Sequence, residues 1–133
     1  MAAMPLHVKS VHTPPRGRDG LRILAARFRG RRLPSSAYDV WMPSLGPSEA
    51  LLREVQAGLP WLQFERRFIA ELFEEAAVDE RSPIIKNHGQ KFTLRLIKHL
   101  ARDGDVTLMC HCAEDEVHCH RHTLRRVILS SRV

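Results

Sequence analysis

The chain has 133 residues, a net charge of +6, 44% hydrophobic residues and 27% charged residues. This length suits one domain with a single core, and the composition is typical of a globular protein and argues against a disordered one. No apolar run reaches the roughly 18 residues that a membrane span requires. We therefore expect a single domain over residues 1–133 that has no membrane partner.

The first half of the chain predicts two strands and a long loop. The stretch from Leu6 to Val11 alternates apolar and polar residues, as a strand with one buried face does. Leu21 to Phe28 is more continuously apolar and predicts a strand that is covered on both faces. Arg29 to Gly46 is rich in Pro, Ser and Gly and predicts a loop, with a short extended piece from Tyr38 to Met42.

Three helices are expected from helical spacing and end signals. Ser48 is a typical N-cap for the first helix, which Gly58 ends, and Pro60 opens the second. A third helix is predicted over residues 90–102. The residues that this third helix is expected to bury are Phe92, Leu96, Ile97 and Leu100.

A last strand and a last helix complete the predicted fold. Val106 to Cys110 predicts a buried strand that neighbours Leu21 to Phe28, and a helix follows that includes Thr123 to Leu129. Strands separated by helices are typical of parallel sheets. The sequence thus predicts an α/β fold: a single three-layer domain with a small, mostly parallel central sheet flanked by helices.

Reactive side chains are concentrated between this strand and this helix. The segment holds all three cysteines and four of the eight histidines, namely Cys110, Cys112, Cys119, His111, His118, His120 and His122. Ligands of parallel sheets bind beyond the carboxyl ends of the strands, where the next helix presents unpaired N–H groups. We therefore expect an anion- or phosphate-binding site at the start of the last helix, lined by Cys119, His120 and Arg121.

Cysteine usage also bears on the cellular compartment. Three cysteines cannot all pair within one chain, and thiols so close together are typical of a reducing compartment. The N-terminus lacks the charged and apolar regions of an export signal. The sequence therefore predicts a cytoplasmic protein.

The stretch from Leu108 to His122, Leu-Met-Cys-His-Cys-Ala-Glu-Asp-Glu-Val-His-Cys-His-Arg-His, resembles the strand, acidic turn and Cys-His-Arg element of the DUF488 family. These are small bacterial and archaeal domains whose biochemical role is not established. Four earlier segments look like the family's N-terminal landmarks in the same order, at residues 8–11, 19–24, 27–30 and 41–48. The resemblance implies an α/β fold and a site around Cys119, His120 and Arg121, but it implies no reaction.

The chain departs from the family pattern at two places. Ala26-Arg27-Phe28-Arg29-Gly30 stands where the family often has an Asp-Arg pair followed by Trp-Pro-Arg-Gly, so a role of that aspartate does not carry over. Residues 79–89 also look like an insertion.

Three chemical hypotheses stay open for the cysteine and histidine cluster, and whether the protein is an enzyme stays undecided. In the first, a thiolate at Cys119 is activated by the helix start and by neighbouring basic groups, with Cys119, His120 and Arg121 as the catalytic residues. Cys119 is then expected to be the most reactive of the three thiols. The plain alternative for Cys110 and Cys112 is that they are small buried hydrophobic residues.

The second hypothesis is a zinc site formed by the cysteines and the histidines beside them. Cys-x-Cys is not the usual ligand spacing, so we expect no cofactor and no stoichiometric zinc.

The third hypothesis is binding of a phosphate-bearing ligand or nucleic acid without chemistry, through a basic surface. The residues proposed to bind the anion are Arg121, Arg125, Arg27 and Arg29. We also expect Arg29, Arg31 and Arg32 to be exposed, because a loop cannot bury so much unpaired charge.

Overall fold

The computed structural model describes residues 5–133, which form six strands and four α-helices. The strands are β1 (Leu6–Ser10), β2 (Leu21–Leu24), β3 (Val40–Trp41), β4 (Ala77–Asp79), β5 (Ser82–Lys86) and β6 (Val106–Cys110). The helices are α1 (Glu49–Gln56), α2 (Trp61–Leu72), α3 (Lys91–Asp103) and α4 (His120–Leu129). Short 3₁₀ turns lie at Gly17–Asp19, Ser35–Ala37 and Pro43–Leu45.

The main sheet has the strand order β1-β6-β2-β3, and all of its pairings are parallel. Strands β6 and β2 are therefore the central pair, in the register Ile23 to Leu108, and their predicted adjacency is confirmed. All five residues of β6 are buried, as expected of a strand that is covered on both faces. The predicted α/β class with a mostly parallel sheet is confirmed.

Strand β2 is shorter than predicted and ends at Leu24 instead of Phe28. After Leu24, the backbone carbonyls of Ala25 and Ala26 accept hydrogen bonds from side chains instead of from a neighbouring strand. The Ala25 oxygen accepts from the His120 ring, and the Ala26 oxygen accepts from Trp41 Nε1 at 2.8 Å. Hydrophobicity alone did not reveal the end of the strand, because Ala25 and Ala26 are both buried.

The two faces of the sheet are covered differently. Because alternate side chains of a strand point to opposite faces, Ile23 and Leu108 lie on one face while Leu24 and Met109 lie on the other. The first face carries the main core, to which all four helices contribute. The second face packs against the loop segment 33–38, so its covering layer is a loop with a 3₁₀ turn, not a helix.

The helix ends follow the predicted signals closely. The Ser48 hydroxyl accepts a hydrogen bond from the Leu51 amide at 3.2 Å and caps α1. Gly58 has a φ of 102°, which favours glycine and allows the chain to turn after α1. Pro60 is the N-cap of α2.

The predicted buried face of α3 is mostly wrong. Of the residues assigned to it, Ile97 is buried, whereas Phe92, Leu96 and Leu100 are exposed. The residues that α3 contributes to the core are Leu94, Ile97 and Ala101. The helix has two apolar stripes, and packing against α4 and β6 selects the one centred on Ile97.

Strands β4 and β5 form a separate antiparallel hairpin that begins two residues before the segment that looked like an insertion and overlaps with it. Its side chains are nearly all exposed, including Ile84, which is 91% exposed. No helix within residues 5–133 has the length and apolar character needed to cross a membrane.

Candidate functional site

The three cysteines converge at the carboxyl edge of the main sheet. Cys110 is the last residue of β6, Cys119 is the N-cap of α4, and Cys112 lies in the loop between them. Their sulfur atoms all lie within 4.8 Å of one another, and the Cys110 and Cys119 sulfurs are 2.8 Å apart. All three are free thiols, so the fold gathers three soft, ionisable sulfur atoms at one point.

Arg121 lies beneath this cluster and is fully buried. Its Nη1 donates to Cys110 Sγ at 3.3 Å and to the Cys112 carbonyl at 3.2 Å. Its Nη2 donates to the carbonyls of Ala113 at 2.8 Å and Glu114 at 3.1 Å. The planar guanidinium therefore holds the loop after β6 in place and puts a positive charge next to the thiols. Its Nε has no hydrogen-bond partner among the described residues.

His120 connects the cluster to β2. Its Nε2 hydrogen-bonds to the Ala25 carbonyl, which can only accept, so Nε2 carries the proton. The other ring nitrogen, Nδ1, faces the cluster at 3.9 Å from Cys119 Sγ. Burial lowers the pKa of His120, which favours the neutral ring with an unprotonated Nδ1.

The three thiols do not ionise alike. Hydrogen bonds from the Cys110 and Cys119 thiols lower the pKa of Cys112, with a smaller contribution from the Arg121 charge. Hydrogen bonds with Cys110 and with Cys112, together with burial, raise the pKa of Cys119, and the hydrogen bond with Cys112 raises the pKa of Cys110. These shifts make Cys112 the most acidic thiol of the three. A thiolate is both the nucleophilic form of cysteine and its metal-binding form.

Cys112 and Cys119 differ in burial. Cys119 is buried, whereas Cys112 lies beyond the end of β6 and is half-buried. The sequence places Cys119 at a helix start, but it does not show that the helix turns this residue back toward β6. Cys112 is therefore not fully covered as the plain alternative predicts, whereas Cys110 is.

A cavity of about 280 Å³ opens beside Cys112. Its walls come from α1, the start of α2 and the loop before α4, and the residues that line it are Pro47, Leu52, Val55, Leu59, Trp61, Phe64, Cys112, His118, Cys119 and His120. The Trp61 and His118 rings stack with centroids 4.9 Å apart and an interplanar angle of 10°. Trp61 is the first residue of α2, and its place at the pocket became visible only in the folded chain.

The arginines proposed to bind an anion are not brought together. Arg27 donates to the carbonyls of Gly46 and Pro47, and Arg125 donates to the Leu6 carbonyl at the opposite end of the sheet. Arg29 stacks over Tyr38 and donates to its hydroxyl at 2.6 Å. With Arg121 in the interior, these four residues do not form one basic surface.

The expectation for the arginine-rich loop is confirmed for Arg31 and Arg32, which are exposed. Arg29 is half-buried, because its contact with Tyr38 covers the guanidinium.

Fold and site together define a small α/β domain with a thiol-lined pocket at the carboxyl edge of a parallel sheet. The family model of the active DUF488-N3 subclade matches residues 6–132, so the chain belongs to the DUF488-N3a family. The predicted DUF488 resemblance is thereby confirmed over nearly the whole chain. No curated protein and no solved structure matches the chain.

Proposed function

We propose that the protein catalyses a thiol-dependent reaction in which the Cys112 thiolate is the nucleophile. The observation that carries this proposal is the convergence of three sulfur atoms within 4.8 Å of one another at the wall of a pocket, with Cys112 the least buried of them. A family model described as that of an active subclade is consistent with a retained catalytic site.

The neighbouring groups have distinct roles in this proposal. Cys110 and Cys119 stabilise the Cys112 thiolate by donating hydrogen bonds to it, and buried Arg121 contributes a fixed positive charge. His120, with Nε2 anchored on the Ala25 carbonyl, holds Nδ1 available to accept a proton. The reaction class is group transfer: the Cys112 sulfur forms a bond to an electrophilic atom, and the leaving group departs with the electron pair.

Site-resolved alkylation tests the proposal directly. Iodoacetamide labelling of the three cysteines is followed by mass spectrometry from about pH 5 to 9. We expect Cys112 to label fastest, at a rate that changes little over this range, because it is already ionised. A Cys112 that labels no faster than Cys110 and Cys119, or that titrates near the ordinary value of about 8.5, would refute the proposal.

A metal centre is the second candidate, and the sulfur geometry specifically favours it. Three thiolates suit a soft ion such as Zn²⁺ or Cu⁺, and an imidazole whose second nitrogen bonds a backbone carbonyl is a usual fourth ligand. Our expectation of no stoichiometric zinc stays a prediction. Elemental analysis of the purified protein distinguishes the two candidates. About one zinc or copper ion per chain would favour the metal centre over the nucleophilic Cys112.

Binding of a phosphate-bearing ligand or nucleic acid has less support. Arg121 donates to four neighbouring acceptors of its own loop and strand, and the remaining candidate arginines point to different places. A cytoplasmic location remains part of the proposal, because a reactive thiolate among free thiols requires a reducing compartment.

A further inference from the structure

We infer that the pocket beside Cys112 selects an uncharged substrate that presents a flat, apolar ring to the thiolate. This inference rests on the proposed function, because it names the substrate class of the same site. It replaces the phosphate-bearing ligand that the start of the last helix and the arginines suggested.

The charge of the pocket favours a neutral ligand. Of the described residues that line it, none is Lys or Arg. Arg121 is the nearest buried cation, but its Nη atoms donate to Cys110 Sγ and to three backbone carbonyls, so they do not reach into the pocket. An anion that entered the pocket would lose its hydration beside the Cys112 thiolate and would find no guanidinium or ammonium to replace it.

The shape of the pocket favours a ring. Leu52, Val55 and Leu59 form an apolar wall, and Trp61 stacks on His118 and on Phe64. Aromatic faces bind other flat groups by offset stacking, with centroids roughly 4.5–7 Å apart. The volume of about 280 Å³ lies just below the range of about 300–1,000 Å³ typical of small-molecule sites, so the ligand is a fragment of one or two rings.

Three alkylating probes with the same leaving group separate charge from shape. Iodoacetamide is small and neutral, iodoacetate is small and anionic, and N-phenyl iodoacetamide is neutral and carries a ring. In each reaction the Cys112 sulfur attacks the carbon that bears iodine, a C–S bond forms, and iodide leaves with the bonding electron pair. Rates at Cys112 are divided by those of free N-acetylcysteine, which removes the intrinsic reactivity of each probe.

We expect the N-phenyl probe to label Cys112 at least about tenfold faster than iodoacetamide after this normalisation, and iodoacetate to be the slowest. Trp61→Ala should reduce the preference for the ring to that of the free thiol. Leu62→Ala is the matched control, because Leu62 is the next residue, is 68% exposed and does not line the pocket, so the preference should persist. If Trp61→Ala does not fold, Val55→Lys at the exposed rim should raise the iodoacetate rate relative to the other two.

The possible outcomes separate the two proposals. If none of the probes labels Cys112 faster than the other cysteines, the proposed function fails. If Cys112 is fast but shows the same probe ratios as the free thiol, the nucleophile stands and the substrate class fails. A normalised preference for iodoacetate would also overturn the inference and would restore the anion as ligand.

Discussion

At the scale of single residues, burial decides which side chains matter. The sequence marked Cys119, His120 and Arg121 as the site, and these residues do lie together at the start of α4. Their orientation differs from one residue to the next. Arg121 faces the interior, whereas Cys119 and Cys112 both line the pocket. Cys112, which had no assigned role in the first hypothesis, is the less buried of these two thiols.

Arg121 should be important for stability because its charged guanidinium is fully buried and depends on its hydrogen bonds to the loop. Arg121→Lys keeps the charge but cannot form the forked set of hydrogen bonds to the loop carbonyls. We expect a loss of about 3 kcal/mol in the free energy of unfolding, measured by urea denaturation. Arg31→Lys, at an exposed position, is the matched control and should change stability by less than about 0.5 kcal/mol.

Cys119 should control the acidity of Cys112. Cys119→Ala removes a thiol that donates a hydrogen bond to the Cys112 thiolate, so the pKa of Cys112 should rise. The expected result is slower iodoacetamide labelling of Cys112 at low pH and a steeper dependence of the rate on pH. An unchanged pH profile in this variant would mean that the other neighbours suffice to hold the thiolate.

Asp19 should contribute to the pH dependence of stability. Burial alone would raise the pKa of this carboxyl, but hydrogen bonds from Lys9 Nζ at 2.6 Å and from the Arg16 amide lower it below the usual 3.8. A lowered pKa means that the stabilisation is present above pH 3.8 and is lost as the pH falls toward the folded-state pKa.

Unfolding free energies of the wild type should therefore fall more steeply between about pH 5 and 2 than those of Asp19→Asn. The variant should also be less stable at neutral pH, since Lys9 is left buried without its partner. Equal slopes in the two proteins would contradict this role of Asp19.

At the scale of elements, the hydrophobic pattern of α3 predicts the helix but not the face that it buries. Its period correctly predicted a helix, and its end at Asp103 lies one residue beyond the predicted end. The pattern did not define the buried face, because Leu94, Ile97 and Ala101 compete with Phe92, Leu96 and Leu100 and the core accepts one stripe. Arg95 and Lys98 support the observed orientation by donating to the carbonyls of Val133 and Ser130.

Two leucines on α3 give a matched test of this orientation. Leu94→Ala removes a fully buried side chain and should cost about 2–4 kcal/mol of unfolding free energy. Leu96→Ala removes the same atoms from a position that is 59% exposed and should cost less than about 1 kcal/mol. A larger loss at Leu96 than at Leu94 would show that the helix packs by the stripe that the sequence first indicated.

At the scale of the whole molecule, the parallel sheet brings distant segments to one edge. Cys110 is the last residue of β6, and Ala25 directly follows β2, which adjoins β6, so the loop before α4 lies over both strand ends. The hairpin of β4 and β5 lies outside this arrangement, since its strands pair with each other and its side chains are largely exposed.

The hairpin should therefore be dispensable for folding. Ala76 and Asn87 bond each other at its base, with Asn87 N to Ala76 O at 3.0 Å, so a two-glycine turn can replace residues 77–86. We expect thermal unfolding of this shortened protein to stay cooperative, with a midpoint within about 5 °C of the full chain. Loss of the cooperative transition would show that the hairpin stabilises the core.

The sequence by itself determined the α/β class, the central pair of strands, the two ends of α1, the start of α2, and the segment in which the cysteines and histidines are concentrated. These features depend on local signals: hydrophobic period, a Ser N-cap, Gly58 and the spacing of strands and helices. Only the tertiary structure decided which thiol at the pocket is least buried, which stripe of α3 is buried, and that Trp61 meets His118. The reason is that these properties depend on contacts between segments that lie far apart in the chain. The local sequence of one segment does not specify which other segment will pack against it.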